Sequence, residues 1–183
     1  MGNRRDFLRN AALGATAMAA APLAGAVTAT GSGGVPAVRP RVCSTWDFGV
    51  AANQAAWAIL SRGGRALDAV EAGARVPEAD ASNHSVGLGG YPDRDGHVTL
   101  DACIMDEAGN CGSVAAIEHI VHAISVARKV MEKTPHVMLV GAGALQFALE
   151  QGFEKTNLLT PAAESAWKAW LKDAKYQPVA NSE

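Results

Sequence analysis

The sequence predicts a mixed α/β fold, in the α+β sense, and two observations support this class. Residues 86–116 contain short β-prone segments separated by turn residues, which is typical of antiparallel strands joined along the chain. On both sides of this region, alanine-rich segments carry apolar residues at helical spacing. The 183 residues are the usual length of one domain. We therefore expect helices packed against a small sheet in a single domain.

One strand and two helices are expected between residues 41 and 77. β-Branched and aromatic residues predict a strand over Arg41–Phe48. Helix-forming residues predict a helix over Ala51–Leu60, which the glycines at 63 and 64 should end. Apolar residues at helical spacing predict a second helix over Ala66–Val76, and Pro77 is expected to break it.

A hairpin is expected in the middle of the chain. Ser85–Pro92 is glycine-rich and suits a loop, or a strand where two backbones approach closely. His97–Met105 and Cys111–Ala116 have strand composition, and Asp106–Asn110 between them has turn composition. Residues 86–116 are therefore interpreted as an antiparallel meander.

The C-terminal half should begin with the longest helix of the domain, Ala116–Lys133, whose apolar stripe includes Ile117, Ile120 and Ile124. Thr134-Pro135 should stop this helix. The elements expected after it are a buried strand at His136–Val140, a turn at Gly141–Gly143, a helix over Ala144–Gln151 closed by Gly152, and a last helix that begins at Thr160-Pro161 and ends near Lys175.

Residues 1–29 are predicted to be an export signal rather than part of the fold. Arg4-Arg5 precedes an apolar, alanine-rich run, which resembles a twin-arginine signal for proteins exported after folding. Cleavage is expected after Ala26 or Ala29, and residues 30–41 should form a flexible leader to the domain. The protein is thus expected to be periplasmic or secreted. A retained alanine-rich helix is the alternative.

Charge and hydropathy argue against two classes of partner. The net charge is −2 and the isoelectric point is near 6.2, so the chain lacks the basic character typical of nucleic-acid binding. Beyond the N-terminus, no run approaches the 18 strongly apolar residues of a membrane-spanning helix. We therefore expect neither nucleic acid nor a membrane as a partner.

Short motifs for metals and nucleotides have simpler structural explanations. His119 and His122 could face one metal from a helix, but the pattern offers no third ligand. Asp93 and Asp95 resemble the start of a calcium loop, yet its later ligands are out of register. Gly141–Gly143 lacks the third glycine of a dinucleotide fingerprint. We expect no metal and no organic cofactor.

The three cysteines do not predict a disulfide. Cys103 and Cys111 lie on the two arms of the predicted hairpin, and a turn centred near residue 108 places Cys103 opposite residue 113 or 114. A bond between these two cysteines would need a shifted register. We favour three small buried residues, with Cys43 beside either of the others.

Longer segments resemble the α-chain of glycosylasparaginases (aspartylglucosaminidases), within the asparaginase type 2 family of N-terminal-nucleophile hydrolases. This family also includes plant-type asparaginases and isoaspartyl peptidases. The resemblance covers residues 42–183, nearly all of the expected mature chain. Its segments are STWDFG at 44–49, GGRALDAVEAG at 63–73, VGLGGYPDRDGHVTLDACIMD at 86–106, GNCGSVAAIEHI at 109–120, ISVARKVMEKTPHVMLVG at 124–141 and FALEQGF at 147–153.

The resemblance implies an αββα sandwich, of which this chain supplies only the N-terminal half. In this family a precursor cuts itself before a threonine, which becomes both the nucleophile and, through its amine, the base. The substrate is the side-chain amide of glycosylated asparagine, and no cofactor takes part. The cut follows a segment resembling residues 176–181, so the nucleophile is expected to lie beyond Glu183. The chain alone should be inactive, and its partner should be its own β-chain in a heterotetramer of two α-chains and two β-chains.

The resemblance carries over three substrate-site residues: Trp46, Phe48 and Ser85. Packing in the core or at a strand end is the alternative for each of them. Two other functions remain open at this point. One is an isoaspartyl peptidase or L-asparaginase of the same family, and the other is a non-catalytic exported module that binds through the surface at Gly87–Tyr91.

Overall fold

The structure, a computed structural model, describes residues 39–174 and confirms the mixed α/β class. The predicted export signal, most of the leader and the segment at 176–181 lie outside the described residues. Five helices and three strands follow in the order α1 (Gly49–Leu60), α2 (Ala66–Ala79), β1 (Thr99–Met105), β2 (Cys111–Glu118), α3 (Ala123–Lys133), β3 (Met138–Val140), α4 (Gly141–Glu150) and α5 (Pro161–Asp173).

The sheet has the order β1-β2-β3, with β1 antiparallel to β2 and β2 parallel to β3. Helices α3 and α4 both pack against β2, and α2 packs against α1 and α3. The largest fully buried side chains come from α2, β2, α3, the turn before α3 and the segment between α4 and α5: Leu67, Val114, Ile117, Ile120, Val126, Val130 and Leu158. The core therefore lies between one face of the sheet and the helices, because a sheet face is stable only when another element covers it.

The opposite face of the sheet is exposed within the described residues. Cys103 and Met105 of β1 point away from the core, as do Met138 and Val140 of β3. Met105, Met138 and Val140 are each more than half exposed. We call this surface the outer sheet face.

The hairpin is confirmed, including its register. Cys103 pairs with Ser113, as the predicted turn requires. Asp106 closes that turn by accepting hydrogen bonds from the backbone amides of Ala108 and Asn110, each at 2.9 Å. Ser85–Pro92 forms a loop and not a strand. The meander predicted for residues 86–116 is therefore a single hairpin of β1 and β2.

The longest predicted helix, Ala116–Lys133, was wrong at its start, since α3 begins at Ala123. A β-bulge opposite Asp101 lets β2 continue to Glu118, and the Asp101 carboxylate accepts the Ala116 amide at 2.7 Å. Ala116 and His119 have positive φ angles of 49° and 65°, which a helix cannot contain. The residues with helical spacing therefore belong to a strand, a turn and a helix in succession.

Three predictions at element ends also need correction. The strand over Arg41–Phe48 does not form, because the chain turns there and α1 starts at Gly49. β3 is an exposed edge strand rather than a buried one, because no further strand of the described chain pairs with it. The expected turn at Gly141–Gly143 is the first turn of α4.

Pro77 does not break α2, which continues to Ala79. A proline inside a helix removes one backbone hydrogen bond, but in the last turn this loss affects only the helix end. The extra turn carries Glu78 into the core, where its residue is 7% exposed.

The cysteines are unpaired, as expected, but they are not buried. Cys43 and Cys103 are exposed and Cys111 is half-buried. The outer sheet face has no covering layer in residues 39–174, which is why Cys103 on β1 is open to solvent. In the same residues, no helix has the length and apolar character needed to cross a bilayer.

Candidate functional site

Two concavities of the surface meet at Phe48 and contain the three predicted site residues. The first, the Trp46 pocket, has a volume of about 300 Å³ and is lined by Trp46, Phe48 and residues of α1 and α2. The second, the Ser85 pocket, has a volume of about 450 Å³ and is lined by Phe48, Ser85, Glu78 and residues of β1 and α3. The structure therefore brings together two chain segments that are almost 40 residues apart in sequence.

A tight turn before α1 presents Trp46. The Gly49 amide donates to the Trp46 carbonyl at 2.9 Å, and the Ser44 hydroxyl donates to Asn53 of α1 at 2.6 Å. A side chain at Gly49 would meet the Ser44 Cβ at 2.3 Å, so this turn requires a glycine. The Trp46 side chain is 68% exposed, which argues against the alternative that it packs in the core.

Ser85 lies in a loop held by backbone hydrogen bonds and a ring stack. The Leu88 amide donates to the Glu78 carbonyl at 2.8 Å, and the Tyr91 amide donates to the His84 carbonyl at 3.0 Å. The His84 ring stacks on Tyr91 with centroids 4.6 Å apart. We call residues 84–91 the Ser85 loop. Ser85 is exposed and lines the pocket, whereas the ends of its loop are fixed.

Glu78 is a buried ionisable residue that lines the Ser85 pocket. One carboxyl oxygen accepts the Ile124 amide at 2.9 Å, and the other lies 3.2 Å from Nδ1 of His122. Burial raises the pKa of Glu78 to about 7, although the Ile124 amide and the charge of Arg75 oppose this shift. Burial also lowers the pKa of His122. Both directions favour the neutral form of each side chain, so the contact is a hydrogen bond between a carboxyl group and an imidazole rather than an ion pair.

Sequence reasoning missed Glu78 and assigned His122 only as half of a metal pair. His119 and His122 lie in the turn before α3 and not on a helix, and His122 contacts Glu78 while His119 contacts Glu118. Among the described residues there is no cluster of three ligands for a metal. The sequence contains no signal for Glu78, because the predicted helix ended at Val76 and Glu78 follows the proline that was expected to break it.

The remaining motifs have the structural roles that were favoured. Asp93 accepts the backbone amides of Asp95 and His97, each at 2.9 Å, so it caps a turn. Gly141 joins β3 to α4 with a φ angle of 54°. Neither motif lines the two pockets.

The pockets combine aromatic surface with a few polar groups, which suits a small ligand that has both characters. Phe48 and Trp46 supply apolar contact, while the Ser85 hydroxyl can donate or accept a hydrogen bond. Asp101 of β1 also lines the Ser85 pocket and faces it from the sheet side.

Comparison with known proteins gives a consistent result. A family model described as asparaginase (Asparaginase_2) matches residues 40–183. An N(4)-(β-N-acetylglucosaminyl)-L-asparaginase from Elizabethkingia miricola is 58% identical over 99% of this chain and 53% of its own length. The protein with the same name from Rattus norvegicus is 44% identical over 75% of this chain and 41% of its own length. The chain thus spans about half the length of these relatives. Since the family model covers well over half of the chain, this chain belongs to the asparaginase type 2 family and is a homologue of the glycosylasparaginases.

Proposed function

We propose that this chain is the substrate-side part of an amidohydrolase that cleaves the side-chain amide of glycosylated asparagine. The observation that carries the proposal is the 58% identity to a relative with that name, along nearly the whole chain. The placement of Trp46, Phe48 and Ser85 around adjoining pockets supports it. These three residues would line the substrate site.

The partner in this proposal is a β-chain that completes an αββα sandwich. The outer sheet face exposes Met105, Met138 and Val140, and a sheet face of this character is stable when a second sheet covers it. Helices already cover the opposite face, so this chain would supply one helical layer and one sheet. Two copies of each chain would form the heterotetramer.

The β-chain would provide the chemistry. Its N-terminal threonine would attack the amide carbon while its own amine accepts the proton, giving a β-aspartyl ester and releasing the glycosylamine. Water would then hydrolyse the ester to free aspartate and restore the threonine. In the alternative function, an isoaspartyl peptidase or L-asparaginase, the same steps act on a different leaving group. Export through a twin-arginine signal in residues 1–29 also belongs to this proposal.

The experiment compares the 183-residue chain with a longer protein in which the chain is continued by the remaining part of the Elizabethkingia relative. Both are assayed for aspartate release from N4-(β-N-acetylglucosaminyl)-L-asparagine, L-asparagine and a β-aspartyl dipeptide. We expect turnover only from the continued protein, with the glycosylated substrate preferred. Turnover by the chain alone would contradict the role of the β-chain, and preference for a dipeptide would favour the alternative function.

Trp46→Ala should lower kcat/KM of the continued protein at least tenfold, because an exposed aromatic side chain at the pocket would lose its contact with substrate. Trp57→Ala is the matched control, since Trp57 is 48% exposed and lies on α1 outside both pockets. Its activity should stay within twofold of the parent. Equal losses in the two variants would remove Trp46 from the substrate site.

A further inference from the structure

We propose that Glu78 is a positioning residue of the candidate site, which fixes the Ser85 loop and the start of α3 relative to α2. The contacts of the Glu78 side chain and backbone support this role. As far as it concerns catalysis, the inference rests on the proposed function.

Three separate elements of the fold meet at Glu78. The residue itself belongs to the last turn of α2. Its carboxyl group binds the Ile124 amide at the start of α3 and approaches His122 just before it. Its backbone carbonyl accepts the Leu88 amide of the Ser85 loop. One residue therefore connects three of the elements that line the Ser85 pocket.

The Ser85 loop packs closely against Glu78. A Cβ atom at Gly87 would lie 2.0 Å from the Glu78 carbonyl oxygen, so the backbone of the Ser85 loop rests directly on Glu78. Gly87 is two residues from Ser85. A shift of Glu78 therefore moves the loop that carries the site residue.

Glu78 is an ionisable group in a buried position. The charged and titratable groups around Glu78 are Glu71 and Arg75 from α2, His122 before α3, and Asp101 and Cys103 from β1. Glu71 is engaged by Arg128 at 2.7 Å. Burial raises the pKa of Glu78 to about 7, so its carboxyl group changes charge near neutral pH while it is held against His122 and Ile124. Ionisation would place a negative charge in a buried position.

The sign of the resulting pH dependence follows from linkage. A folded-state pKa above the ordinary value means that the stabilisation is fully present below pH 4.5 and is lost as the pH rises through about 7. His122 has the opposite sign, because its lowered pKa stabilises the fold above its ordinary value of 6.5. A variant of Glu78 compared with the parent at each pH separates the two effects.

The test measures hydrogen-exchange protection of the Leu88 and Ile124 amides in the full chain, between pH 6 and pH 8. Glu78→Gln retains the size, the acceptor for Ile124 and a donor for His122, but it cannot ionise. The ratio of protection in this variant to protection in the parent should rise about tenfold over this range. Amides within β2 should show a smaller change, since they do not contact Glu78.

Glu118→Gln is the matched control. Glu118 also lies 3.2 Å from a histidine nitrogen, that of His97, but this pair is exposed and lies outside both pockets. Protection of the Leu88 and Ile124 amides should be the same in this variant as in the parent, because neither amide contacts the pair of Glu118 and His97. A Glu78→Gln ratio that is constant with pH, or an equal change throughout β2, would overturn the inference.

The continued protein supplies a catalytic readout. Glu78→Asp shortens the side chain by one methylene and should lower kcat/KM about tenfold, while Glu78→Gln should retain activity at pH 6 and lose less of it toward pH 8 than the parent. A parent-like pH profile in Glu78→Gln would overturn the positioning role. If the exchange measurements agree with the inference but the continued protein has no activity, the proposed function is wrong and the positioning of the Ser85 loop by Glu78 still holds.

Discussion

Gly87→Ala is expected to lower the free energy of unfolding by about 3 kcal/mol or more, since it combines left-handed strain with a backbone clash. Gly87 has a φ angle of +63°, and an added Cβ would lie 2.0 Å from the Glu78 carbonyl oxygen. Backbone atoms cannot move aside as a flexible side chain can. The loop must therefore leave Glu78, and the Leu88 hydrogen bond is lost with it. Denaturant unfolding measures the change.

Gly109→Ala provides the control for strain alone. Gly109 has a φ angle of +83° in the hairpin turn, and nothing lies within 4 Å of an added Cβ. This variant should lose only about 1–2 kcal/mol, the cost of an alanine in the left-handed region. If Gly87→Ala cost no more than Gly109→Ala, the close contact between the Ser85 loop and Glu78 would be wrong.

Gly112→Ala should have a comparable effect through a different contact. Gly112 lies in β2 where the strand crosses α3, and an added Cβ would lie 2.2 Å from the Ala127 carbonyl oxygen and 2.5 Å from the Met131 nitrogen. The helix would have to separate from the sheet that it covers. We expect a loss of about 3 kcal/mol or more, at the upper end for overpacked cores. The same unfolding measurement applies.

Gly143→Ala is the matched control for this substitution. Gly143 lies in the first turns of α4 with nothing within 4 Å of an added Cβ. Alanine is a better helix former than glycine, so this variant should gain about 0.5–1 kcal/mol. A Gly112→Ala protein as stable as the parent would show that α3 does not pack this closely on β2.

The local elements could be predicted because their signals lie within a few residues. Thr160 accepts the Ala163 amide at the start of α5, as a threonine before a proline in the first turn indicates. Gly152, with a φ angle of +86°, follows the end of α4. The pairing of Cys103 with Ser113 followed from the position of one turn.

Predictions failed where a local pattern has two structural solutions. Ile117, Ile120 and Ile124 have helical spacing, yet they are buried from a strand, a turn and a helix. The Asp101 carboxylate decides between these solutions by accepting the Ala116 amide, and it comes from another strand. Asp101 and Ala116 are 15 residues apart in sequence, and the helical spacing of the isoleucines does not indicate this contact.

The sequence by itself determined the family, the N-cap of α5 and the hairpin, because long matching segments and turn residues are local properties of the chain. Only the tertiary structure decided that Phe48 joins the pockets of Trp46 and Ser85, and that Glu78 is buried against His122 and Ile124. The physical reason is that burial and a shifted pKa depend on neighbours more than 40 residues away.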